Sequence, residues 1–162
     1  MIIFIENLKN MNQLFTVTQT SRNMVSKILE NHTLEQLNKI PKGFNNNLIW
    51  NIGHIIVAQQ MLVYKLSGLP MMISDEMVGK YKKDTKPEQE VSQEELDEIK
   101  SLLFKTLEKT KEDFENGVFK NYQEYTTSTG GHVLKSAADA IAFSNFHEGL
   151  HIGVMLSLRK LV

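Results

Sequence analysis

The sequence predicts an all-α protein, a four-helix bundle with a long crossover between helices two and three, and three observations carry that expectation. Apolar residues recur at helical spacing in four separated segments, residues 71–91 between the second and third have no sustained period, and no strand–helix alternation or internal repeat competes. With 162 residues, 41% of them apolar, the chain can bury a substantial core and is expected to form one domain over 1–162.

The first helix is expected over residues 14–29, where Phe15, Val17, Met24, Val25, Ile28 and Leu29 fall partly at helical spacing. Residues 33–44 read as a short helical turn followed by a loop through Pro41-Lys42-Gly43. Asn45-Asn46-Asn47 offers N-caps for a second helix running to about Leu66, which Ser67-Gly68-Leu69-Pro70 stops. Lys, Asp, Glu, Pro and Met crowd 71–91, as expected of a long connection. Ser92-Gln93-Glu94-Glu95 has the form of a capping box, and Leu96, Ile99, Leu102, Leu103, Leu107 and Phe114 continue a third helix until Asn116-Gly117. Residues 118–135 read as a loop with a short extended piece, after which Ser136 and Asp139 can cap a last helix reaching Leu161.

Composition narrows the function. Eighteen basic residues nearly balance nineteen acidic ones, which leaves no concentrated positive field for nucleic acid. The chain has no cysteine, so disulfides, thiolate metal sites and a cysteine nucleophile of its own are excluded. The apolar start Met1-Ile2-Ile3-Phe4-Ile5 lacks a basic leader and is broken by Glu6 and Lys9, so no signal peptide is expected. Residues 48–64 are the densest apolar run, yet Asn51, His54, Gln59 and Gln60 interrupt them, which favours a core helix over a membrane span. A cytoplasmic protein with neither a nucleic-acid nor a membrane partner is expected.

The chemistry centres on three of the five histidines. At about 100° per residue, Phe143, His147, Leu150, His151, Val154, Leu158 and Leu161 share one stripe, predicted to face the core. His147 and His151 stand one turn apart, the spacing that lets two imidazoles hold one ion; a surface accident or two hydrogen-bonded core residues is the alternative. His54 lies in the most apolar helix, within Ile52-Gly53-His54-Ile55-Ile56, where an imidazole needs a partner to offset its desolvation. Gly53 beside it would admit a close neighbour. Together the three would form a set of neutral ligands for one divalent metal, with coordination positions left open. His32, near the end of helix one, and His132, in the loop before the last helix, read as solvated.

His147-Glu148-Gly149-Leu150-His151 also matches H-E-x-x-H, in which the glutamate is the general base of a metallopeptidase. Only eleven residues follow His151, too few for the usual downstream ligand, and no strand edge offers to bind a peptide. Glu148 is instead expected to be solvated or to support a ligand from behind.

Taken together, Ile49-Trp50-Asn51-Ile52-Gly53-His54-Ile55, the long crossover, and Phe146-His147-Glu148-Gly149-Leu150-His151-Ile152-Gly153 resemble the DinB-like superfamily over about residues 11–162. The resemblance implies a helical bundle in which His54, His147 and His151 bind a divalent metal, zinc or nickel. Many members carry a glutamine where this chain has Val154, so substrate contacts do not transfer. Despite the shared label, the family is not the lesion-bypass polymerase. Its members with known activity include thiol-dependent S-transferases and a mycothiol-dependent isomerase, and others are called metal-dependent hydrolases.

Three neutral imidazoles leave the ion's charge uncompensated, so it would acidify a bound water or thiol. Without cysteine in the chain, a thiol would arrive as a low-molecular-weight cosubstrate. A metal-dependent S-transferase or hydrolase acting on a small molecule is therefore the leading expectation, with no catalytic residue assigned beyond the ligands. A non-catalytic, stress-related metal-binding or purely structural bundle is the alternative. Ile141, Ile152, Met155 and Leu156 lie roughly opposite the histidines and are expected on an outer face that forms a homodimer.

Overall fold

The computed structural model describes residues 2–162, with side-chain surroundings from Met11 onward. Its four long helices are α1 (Ile2–Glu30), α3 (Leu48–Val63), α5 (Gln93–Glu115) and α6 (Ala137–Leu158), with the short α2 (Leu34–Asn38) and α4 (Asp75–Tyr81) between them. Helix α1 packs on α5 and α6, and α3 packs on the same two, so the four close into a ring around a shared interior. The fold is the all-α arrangement that the apolar periodicity predicts, with a two-residue hairpin, β1 (Tyr125–Thr126) and β2 (Val133–Leu134), before α6. Among the described residues no helix is long and apolar enough to cross a membrane.

Capping side chains set most boundaries. Asn47 accepts from the Trp50 amide and starts α3, while Ser136 accepts from the Asp139 amide and starts α6. Ser92 likewise caps α5 by accepting from the Glu95 amide. Glu95, however, does not close the expected box. Its carboxylate accepts from the Tyr81 hydroxyl at 2.7 Å and pairs with Lys80 at 2.9 Å, tying α5 to α4. The reciprocal box forms instead at Thr33 and Gln36, which the sequence reading had not singled out. After α3 a single 3₁₀ turn runs from Lys65 to Ser67, and Gly68 ends it at φ 71°, where a side chain would be strained.

Two expectations need correction. Helix α1 starts well before residue 14, and the crossover at 71–91 contains α4, capped by Ser74. Seven residues are too few to show a sustained period, so α4 left little trace in the pattern.

The interior is filled by Leu37, Leu48, Ile52, Ile55, Ile56, Ile99, Leu103, Met155 and Leu158, each almost inaccessible to solvent. Burying each such side chain stabilises the fold by roughly 1.5–3 kcal/mol before entropy is counted. Gln59 and Gln60, which argued against a membrane span, are buried and satisfied: Gln59 donates to Thr110 at 2.7 Å, and Gln60 accepts from the Met72 amide at 2.8 Å.

Helix α6 is rotated from its predicted orientation by about a quarter turn, at about 100° per residue. Ala137, Ala140, Ile141, Ser144, Glu148, Ile152 and Met155 face the interior; of the predicted stripe Phe143 and Leu158 are buried, whereas Leu150, Val154 and Leu161 are exposed. The predicted outer face of Ile141, Ile152 and Met155 is thus a core face, and the histidine stripe borders solvent. Leu156 is half-buried. With apolar residues nearly all round, hydropathy gave α6 no preferred direction, and its buried side mixes bulky Ile141, Ile152 and Met155 with small residues and one ion pair.

Candidate metal centre

The site begins with a missing side chain. A Cβ on Gly53 would lie 2.5 Å from Cδ1 of Tyr81, so glycine is what lets the Tyr81 ring lie against α3. That close approach brings the Tyr81 carbonyl to 2.7 Å from Nδ1 of His54. Because a carbonyl only accepts, Nδ1 carries the proton and Nε2 keeps its lone pair for a ligand. One turn earlier, the Trp50 indole stacks on the His54 ring with centroids 4.8 Å apart and planes 11° from parallel.

His151 is oriented by a second residue of α3. Nδ1 of His151 lies 2.8 Å from Oδ1 of Asn51, whose amide nitrogen donates to the Asn47 carbonyl at 2.7 Å. With its NH₂ engaged there, Asn51 presents oxygen to His151, and the Nδ1–H tautomer again leaves Nε2 bare. His147 stacks on Phe143 at 6.1 Å.

These restraints bring together all three residues that the sequence singled out. Ring centroids are 5.2 Å apart for His54 and His147, 4.6 Å for His54 and His151, and 4.7 Å for His147 and His151. One ring nitrogen from each lies within 4.8 Å of the others, and among the described residues no other His, Asp or Glu joins the group. Nitrogens sharing an ion at about 2.1 Å stand roughly 3.4 Å apart, so rotations of about an ångström complete the set.

The donor set fits a borderline metal such as zinc or nickel, for which imidazole is a preferred ligand. Burial holds His54 below its usual titration range, and it lowers His147 to about 4 and His151 to about 3, helped by repulsion from the neighbouring imidazoles. All three rings are therefore neutral lone-pair donors at neutral pH.

The histidines open onto a cavity of about 450 Å³, within the range of small-molecule sites. Val57, Ala58, Met61, Leu62 and Phe143 form its apolar wall. Two loops complete it: residues 82–84, directly after α4, and residues 127–129, at the tip of the hairpin. The first loop is fixed to the site because Thr85 accepts from the Trp50 indole N–H at 3.2 Å.

Glu148 faces elsewhere. Its carboxylate receives Nε of Arg22 at 3.1 Å to both oxygens and a further bond from Nη2, with both side chains about 1% exposed. Burial holds this carboxyl above its usual range, and the guanidinium offsets only part of the rise. Glu148 is thus neither solvated nor in the cavity, and it has no access to a bound water. The H-E-x-x-H match is an accident of two histidines on one face and a core ion pair on another. His32 is half-buried, with Nδ1 2.7 Å from the Ile28 carbonyl, which ties it to its own helix end. His132 is exposed as expected and stacks on Phe143 at 6.1 Å, outside the cavity lining.

Asn51 and the Tyr81 carbonyl were not identified from sequence as site elements. Asn51 sits three residues before His54 in a buried helix, a placement that itself signals a required partner. A backbone carbonyl carries no such signal. Comparison with curated proteins gives no match. The sequence profile of the DinB superfamily matches residues 18–155.

Proposed function

The chain belongs to the DinB superfamily, and from that premise we propose that it is a divalent-metal-dependent enzyme, a thiol S-transferase or hydrolase acting on a small molecule. The observation that supports this most is the pairing of three neutral imidazoles with a cavity of small-molecule size, lined by the same residues. Zinc or nickel held there would keep its full charge and supply Lewis acidity toward a thiol or a water.

The chain's own residues would do the rest. His54, His147 and His151 hold the ion, and the Tyr81 carbonyl and Asn51 fix two of the rings. Phe143, Val57 and Met61 exclude bulk water from the reacting groups. In the S-transfer branch a carbon–sulfur bond forms to an electrophile, the leaving group departs with its bonding electrons, and the thiol proton passes to solvent. In the hydrolytic branch water takes the place of the thiol. The absence of cysteine supports a cytoplasmic setting in which the thiol is a diffusible cosubstrate.

A homodimer is part of this reading, but its surface differs from the one expected. Phe146 (55% exposed), Leu150 and Val154 form a line on α6, and Gly149 and Gly153 beside them leave the backbone open to close approach. A monomeric mass by light scattering at micromolar concentration would remove the dimer. The enzymatic proposal is tested by incubating zinc- or nickel-loaded protein with low-molecular-weight thiols and electrophiles, and separately with esters and amides. Metal-dependent turnover in either set is expected, and silence in both overturns the enzymatic reading.

A further inference from the structure

The first loop of the cavity carries a charge that the metal reading does not use. Lys82, Lys83 and Asp84 all line the cavity. Lys83 is neutralised by Asp84, at 2.9 Å, whereas Lys82 has no ion-pair partner among the described residues. Its position is well determined by what precedes it. The Tyr81 carbonyl is bonded to His54, so bond lengths place the Lys82 Cα no more than about 8 Å from the ligating nitrogen of that ring. The Lys82 amide donates to the Val78 carbonyl and ends α4, and Thr85 bonds the Lys82 carbonyl at 2.7 Å. The backbone on both sides is thus fixed, and Lys82 is an exposed residue that lines the cavity.

Against this cation stands the apolar stripe of α3, Val57, Ala58 and Met61, with Phe143 of α6 across from it. An apolar wall, three neutral donors and one unmatched ammonium group describe a ligand with three parts. We propose that the site selects a small anionic thiol: sulfur toward the histidines, an apolar body against Val57, Met61 and Phe143, and a carboxylate held by Lys82. Lys82 is then a specificity-determining residue, and its contribution is a charge-assisted contact in a half-open setting, for which discrimination of about three- to tenfold is expected. This inference rests on the metal reading above.

The test uses binding, with cobalt(II) in place of the native metal, followed by the sulfur-to-cobalt absorption band. Two probes matched in shape are titrated, 4-(mercaptomethyl)benzoate and its neutral carboxamide. The wild-type protein is expected to prefer the benzoate about three- to tenfold at low salt, with the preference shrinking toward 0.5 M NaCl, a concentration on the order of that at which exposed charges are screened within a few ångströms. Lys82→Ala is expected to abolish the preference, with benzoate binding weakened about three- to tenfold more than carboxamide binding. Asp84→Asn is expected to strengthen it, because it frees Lys83, and asparagine tolerates the positive φ of 68° found at that position. Equal affinities in the wild type, or a preference that survives Lys82→Ala, overturn the assignment of Lys82 and leave the metal site standing. A protein that takes up no cobalt, or shows no sulfur band with either probe, overturns the metal–thiol reading and the ligand class with it.

Discussion

Replacing Glu148 separates the two meanings of the H-E-x-x-H match. Arg22 is fully inaccessible and spends its guanidinium on Glu148 and on the Leu103 carbonyl at 3.3 Å. Removing the carboxylate leaves a buried, uncompensated cation, which costs about 3–5 kcal/mol. For a domain of this size each kcal/mol lowers the melting temperature by about 2–4 °C, so Glu148→Ala should melt roughly 6–20 °C below the wild type. Replacing both partners with apolar residues of similar volume, Arg22→Met with Glu148→Leu, should recover most of that loss, since the pair's own desolvation cost disappears with it. Calorimetry measures the stabilities, and elemental analysis of the folded fraction measures bound metal, which should be unchanged in the double variant. A Glu148→Ala protein that keeps its melting temperature but loses its metal or its activity would refute the reasoning, because it would put the carboxylate in the cavity.

Further outcomes follow from the geometry. Asn51→Ala removes the acceptor that orients His151 and should weaken metal binding about 10–100-fold with little change in fold, measured by competition against a chromophoric chelator; unchanged affinity would show that Asn51 does not position the ring. The metal-free protein should also lose stability on acidification. His147 and His151 titrate near 4 and 3 when folded but near 6.5 when unfolded, so between those values the unfolded chain binds more protons. Their contribution is fully present above about 6.5 and falls as the pH drops toward 4. A His147→Gln, His151→Gln double variant should show a flatter melting profile over that window, and any contribution from Glu148 cancels because both proteins retain it. Parallel profiles would contradict the burial-driven depression of the two rings.

The clustering of the three histidines was legible because each broke a strong local pattern: His54 sits in an otherwise apolar helix, and His147 and His151 sit one turn apart on another. Capping chemistry was legible at Ser136, at Asn47 as one of three adjacent asparagines, and at Ser92 without the reciprocal bond expected from Glu95, since a short polar side chain before an apolar run has a specific local use. The facing of α6 was not. Its core side mixes Ile141, Ile152 and Met155 with Ala137, Ala140, Ser144 and the Arg22–Glu148 pair, while apolar residues also occupy the exposed side, so hydropathy could not choose between the arcs, and only packing against α1 and α3 selects the right one. The half-exposed setting of His147 and His151 follows from that rotation. It is also what gives them a cavity, because a stripe facing the core would have been sealed. Gly53 hinted at a close neighbour without identifying it. The partner turned out to be the ring of Tyr81 in a short helix that periodicity could not register, and through it a backbone carbonyl reaches His54.

Metal content by elemental analysis, on protein purified without a histidine tag, tests the central claim most directly. The wild type, loaded with zinc or nickel and desalted, should carry close to one ion per chain, and His54→Ala, His147→Ala and His151→Ala should each carry far less while remaining helical by circular dichroism. A fully metallated variant at any of the three positions, or a wild type that retains no metal, would contradict a shared ion held by these imidazoles.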